Sequence, residues 1–119
     1  MPALLIIGRI LFGGFFIYSG FNHLVNTNML AGYAKSKKVP WPIVAVIISG
    51  LVILFGGLGV LLWLYVRLAL TFIIIFLLLV SLTMHNFWAE TETEGKMGDM
   101  VNFTKNMALI GAALMMMSL

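Results

Sequence analysis

The stretch IVAVIISGLVILFGGLGVLLWLYVRLALTFIIIFLLLVSLTMHNF, residues 43–87, decides the fold. Arg67 is its only basic or acidic residue apart from His85. A hydrocarbon core ~30 Å thick needs about 20 apolar residues of helix to cross it. The stretch holds two such lengths, about 43–62 and 66–87, joined by a short turn near Trp63–Tyr65. So tight a connection predicts two antiparallel helices lying side by side.

Working outward, a third apolar run, about 3–24, is interrupted only by Arg9. A fourth, about 101–119, carries Asn102, Lys105 and Asn106 in its first turns. The expected fold is therefore all-α: one integral membrane four-helix bundle occupying the whole 119 residues. Composition agrees, with 62% hydrophobic and 9% charged residues, where soluble domains carry about a quarter charged. The first run is too long for a secretory h-region and lacks a convincing cleavage site, so it is expected to stay as a span. The absence of cysteine excludes a disulfide framework, thiolate metal ligands and a thiol relay carried by this chain alone. Net charge is only +3 and the seven basic residues are scattered over span ends. That distribution suits the lipid bilayer as partner and excludes nucleic acid.

Two polar connectors separate the spans. Asn26–Pro42 holds Lys35, Lys37 and Lys38 and closes on Pro40-Trp41-Pro42, which suits a helix start at the headgroup zone. Glu90–Asp99 holds all four acids and reads as a solvated loop. Four spans put both termini and the 63–65 turn on one side, the terminal face, and both connectors on the other, the loop face. Lys35, Lys37, Lys38, Lys96 and Lys105 gather towards the loop face, against Arg9 and Arg67 opposite. The positive-inside rule then places the loop face in the cytoplasm. An internal echo, ILFGG at 10–14 and again at 53–57, reads as shared packing chemistry. Gly13 with Gly20, and Gly50 with Gly57, each a heptad apart, would let helix backbones approach closely where water cannot drive association.

Polar side chains inside spans are costly, so their placement is informative. Ser19, Asn22, His23 and Asn26 follow i, i+3, i+4, i+7 on one helical face. Ser81, Met84, His85 and Trp88 repeat that spacing, with Asn86 beside them, and Asn102, Lys105 and Asn106 share a third face. All three groups lie towards the loop face, so a bundle turning them inward would form one polar pocket there. His23 and His85 are expected to face each other across it. Histidine and asparagine can hydrogen-bond a quinone carbonyl, and Phe87 and Trp88 can stack on its ring. Two facing histidines would also suit axial haem ligation, but nothing else in the chain points to haem. Zinc lacks ligands, since the acids lie in the loop, and no metal site is expected. Arg9, inside the first span with no acid on its side, either snorkels to lipid phosphate or holds a ligand's anionic group.

At these residues the sequence resembles the DoxX family. GRILFGGFFIYSGFNH (8–23) is similar to the family's opening signature, an Arg followed by Ser-Gly near the end of the first span. YAKSKKVPWP (33–42) resembles its tyrosine-containing connector leading to Val-Pro, and HNFW (85–88) with NFTKNMALIGA (102–112) its third-span end and fourth-span start. The resemblance implies a four-helix membrane protein linked to redox or oxidative-stress systems, in a family named for a subunit associated with thiosulfate:quinone oxidoreductase. It reaches Arg9, Ser19, Gly20, His85, Trp88, Lys105 and Asn106. Two departures stand out: many relatives have Lys where this chain has His23, and a Glu in the second span where Ser49 and Gly50 lie here. The expected function is a redox-linked subunit of a prokaryotic cytoplasmic membrane, binding a quinone-like ligand with Ser19, Asn22, His23, His85, Asn86, Trp88, Asn102, Lys105, Asn106 and Arg9. Its candidate partners are an oxidoreductase subunit and a second copy of the chain. The alternative is a non-enzymatic scaffold, assembly factor or small transporter using the same pocket.

Overall fold

The computed structural model describes residues 2–89 and 92–119. Within them the chain forms five α-helices and no strand: α1 (Pro2–Val25), α2 (Thr27–Ser36), α3 (Pro42–Leu62), α4 (Val66–Thr83) and α5 (Thr93–Met117), with a 3-10 turn at Phe87–Ala89. α1, α3, α5 and the segment from α4 through that turn are each long and apolar enough to cross a membrane. The bundle is 45 Å long, close to the ~40–45 Å of a bilayer with its headgroup layers. Its outer faces are large apolar side chains, such as Leu11, Phe55 and Leu79, where a soluble protein would present charge. The protein is a multi-pass membrane protein.

Glycine sets the tightest contact. α1 and α3 run antiparallel, and Gly13 faces Gly57 while Gly20 faces Gly50. A Cβ on Gly57 would stand 2.7 Å from the Gly13 carbonyl oxygen, and one on Gly20 2.6 Å from that of Gly50. The two heptad-spaced pairs thus mesh as one seam, and backbone packs on backbone. α3 meets α4 through Gly56 against Ile73 and Gly59 against Ala69. The core follows from these contacts: Phe16, Ile53, Val60, Leu70, Ile73, Leu77 and, from α5, Ala113.

The α3–α4 turn is closed by Trp63 and Tyr65, both in the left-handed region at φ 57° and 47°. Leu64 N–H donates to Gly59 O and Trp63 N–H to Val60 O, the double bond pattern that usually ends on glycine. Large aromatics stand there because the turn lies at the membrane surface, where their rings anchor.

Three sequence expectations are corrected here. α5 begins at Thr93, about two turns before the expected start near 101. Its polar first turns continue the helix into the headgroup zone, beyond what an apolar window detects. Glu94 and Asp99 therefore lie in a helix and not in a loop; Glu90, expected in the same loop, falls outside the described residues. α4 ends at Thr83, so neither His85 nor Trp88 continues the helical face of Ser81. The connector between the first two spans also contains α2, which lays Ala31 and Ala34 against α3.

Candidate functional site

The loop-face polar residues divide into three groups, each held by a different pair of helices. Between α4 and α5, Asn106 Nδ2 donates to Ser81 Oγ at 3.1 Å, with both side chains buried. One turn further along the chain from Ser81, His85 brings Nδ1 to 3.5 Å from Asp99 Oδ1. α2 closes over the same carboxylate. Lys37 Nζ lies 2.7 Å from Asp99 Oδ2, and Tyr33 OH donates to Oδ1 at 3.4 Å. Asp99 is 4% exposed, and an ion pair this enclosed persists when further hydrogen bonds meet the carboxylate's remaining lone pairs.

His23 belongs to a second group, between α1 and α3. Its Nδ1 lies 3.2 Å from Val46 O and 3.1 Å from Ser49 Oγ, while the Ser49 hydroxyl itself donates to Val46 O. Nδ1–H donating to both acceptors satisfies all three atoms. His23 thus hydrogen-bonds to α3, with its ring 6.0 Å from that of Phe76 on α4, and His85 meets Asp99 of α5, so the two imidazoles have separate hydrogen-bond partners. The glycine seam is the reason. A Cβ on Gly50 would lie 2.6 Å from the His23 Cβ, so the approach that buries Gly20 carries His23 onto α3. Ser49 supplies a neutral partner at this crossing.

The third group faces the gap between α1 and α5. Lys105 Nζ sits 5.6 Å above the Phe15 ring and 3.5 Å from Asn102 Oδ1. Asn106 and Lys105 therefore diverge, one towards α4 and the other towards α1. Ser19 and Asn22, half-buried, continue the Phe15 face of α1 towards the loop side, and Asn22 Oδ1 accepts from Asn26 Nδ2. On the terminal side of Lys105 the gap opens into an apolar groove of about 570 Å³ between Leu4–Phe15 and Leu109–Leu119. A second groove, about 470 Å³, runs along the outside of α3 and α4 past Phe55 and Tyr65.

Trp88 is 55% exposed and forms an edge-to-face trio with Phe87 and Phe103 at 5.3–5.6 Å; Asn86 beside it is half-buried. Arg9 reaches across to the end of α3. Its Nε and Nη2 donate to Leu61 O at 3.2 and 2.8 Å, and its guanidinium lies 5.5 Å from the Trp63 ring. It closes the carbonyl end of α3, where a cation meets the helix dipole.

Lys37, Tyr33 and Asp99 were not among the sequence candidates. Asp99 precedes Asn102 by three residues and Asn106 by seven, so extending the polar stripe of the fourth span one turn upward would have found it. The site offers ammonium, amide and imidazole donors beside aromatic rings, and His85 with Asp99 gives a cation no third ligand of His or acid type among the described residues.

A family model for DoxX matches residues 4–86, α1 through the end of α4. The chain belongs to the DoxX family. No curated protein and no solved structure matches it. The DoxX match includes Arg9, Ser19, His23 and His85 and stops before α5, so Asp99, Lys105 and Asn106 enter the site on geometry.

Proposed function

We propose that this DoxX family member is a redox-linked membrane subunit that binds a quinone-like lipophilic ligand at its loop face and works with an oxidoreductase partner. The observation that carries the reading is Lys105. Its ammonium rests over Phe15 and beside Asn102, with no carboxylate among the described residues in ion-pair reach. Phe15 beneath it lines the apolar groove, whose α5 wall begins one turn further along the helix at Leu109. A carbonyl-bearing head would accept from Lys105, while its apolar part avoids water. Few convergent donors in a mostly apolar concavity are the usual form of a small-molecule site. The family's association with quinone-linked and oxidative-stress systems supports the ligand class, and electrons would come from the partner's own centre. The lysines of the loop face favour its placement in the cytoplasm of a prokaryotic cell.

Native mass spectrometry of the protein released from mild detergent tests this. A quinone-mass adduct on the wild-type chain, depleted in Lys105→Gln, is expected; a partner subunit or a second copy would appear in the same spectrum. A wild-type chain that carries no quinone, even after incubation with excess, contradicts the reading and leaves the non-enzymatic scaffold.

A further inference from the structure

The groove between α1 and α5 has a shape that goes beyond the head site. No Cα of α1 comes within 8 Å of one in α5, yet the Lys105 side chain reaches Phe15. The helices thus stand apart by the reach of their side chains, and Lys105 bridges the gap at one end. From Phe15 down to Leu4 the opening follows α1 for ~16 Å, with Gly8 on one wall and Ala112 and the flexible Met115 and Met116 on the other. Arg9 also borders it, with Nε and Nη2 donating to Leu61 O.

We infer that this slot holds the ligand's tail: one isoprenoid chain, lying between α1 and α5 with its quinone head at Lys105. The inference rests on the quinone-binding reading and adds where the ligand lies and what length of tail it needs. A partner helix is a poorer occupant, because running the length of the groove it would have to displace the Lys105–Phe15 bridge. The outer groove of α3 and α4 is lined by apolar residues and Tyr65 and adjoins Arg67 at the terminal face, away from the polar layer. Between the two grooves, continuity with the polar layer selects the α1–α5 slot.

The test uses the full chain in zwitterionic nanodiscs and two quinones with the same ring, one carrying a long isoprenoid tail and one a methyl group. Gly8→Trp would plug the slot; a Cβ at Gly8 meets nothing within 4 Å, so the variant has room to fold. Ala112→Phe plugs it from the other wall. The wild type should bind the long-tailed quinone at least about tenfold more tightly than the short one. Either plug should abolish that preference and leave short-quinone affinity unchanged. Lys105→Gln should weaken both quinones alike, and Lys105→Arg should restore both. Plugged variants that keep the preference, or a wild type with none, would overturn the slot while the head site stands. Loss of the tail preference only when anionic phospholipid is added would assign the slot to lipid and overturn it also. If neither quinone binds, the functional reading falls and the slot with it.

Discussion

Lys37 and Asp99 meet from positions 62 residues apart, and their pairing ties the surface helix α2 to the end of α5. Removing one member of an enclosed ion pair strands the other charge, at a cost of about 3 kcal/mol or more. Lys37→Met should therefore lower the melting temperature in detergent well beyond Lys38→Met, whose side chain is exposed. Adding Asp99→Asn to Lys37→Met should recover much of the loss, and a double variant as unstable as the single losses combined would deny the coupling. Arg9 makes a parallel case. Losing charged hydrogen bonds to Leu61 O should cost about 1–3 kcal/mol, so Arg9→Gln should destabilise where Arg67→Gln, at an exposed position, does not. Of these residues the sequence marked Arg9 as an outlier, because a cation inside an apolar run is visible. Its acceptor was not, since a backbone carbonyl leaves no trace in side-chain pattern. Asp99 was hidden among three other acids, where composition alone reads as water-exposed.

At the level of helices, the seam between α1 and α3 separates neighbouring glycines by role. A methyl group added at Gly13 would stand 2.8 Å from Gly57 O, whereas one at Gly14 would meet nothing within 4 Å. Gly13→Leu or Gly57→Leu should destabilise by about 1–3 kcal/mol or unfold the bundle, since backbone cannot give way as a side chain would. Gly14→Leu should be nearly neutral by thermal melting. Equal melting temperatures for Gly13→Leu and Gly14→Leu would remove the seam. The heptad spacing of Gly13 with Gly20 and Gly50 with Gly57 was legible in sequence, and so were the four spans, because long apolar runs have one physical reading in a membrane. The start of α5 was not, as its best window has a mean hydropathy of 1.2 against 2.7 for α3. α2 escaped for a related reason: its ten residues pack through alanines and carry lysines outward, a pattern that composition does not distinguish from a polar connector.

Across the whole molecule, the arrangement gives the two faces of the bundle different chemistry. The terminal face has the aromatic turn and the Arg9 closure; the loop face has the acid, the histidines and Lys105. Cysteines introduced at Lys38 and Lys96 should label from the same side of the membrane, and one at Leu119 from the other. Leu119 labelling together with Lys96 would mean that α5 does not cross. The location of the polar residues near one surface was legible from their order along the chain. Their division into three groups was not, because it follows from the glycine seam that brings His23 onto α3. The ligand site itself is tested most directly by photolabelling with a quinone that carries a diazirine on its ring, followed by mapping of the modified residues. Label on α1 and α5 around Phe15 and Lys105, competed by unlabelled quinone, is the expected result. Label on the outer groove of α3 and α4 near Phe55 and Tyr65, or spread without competition over the lipid-facing surface, would contradict it.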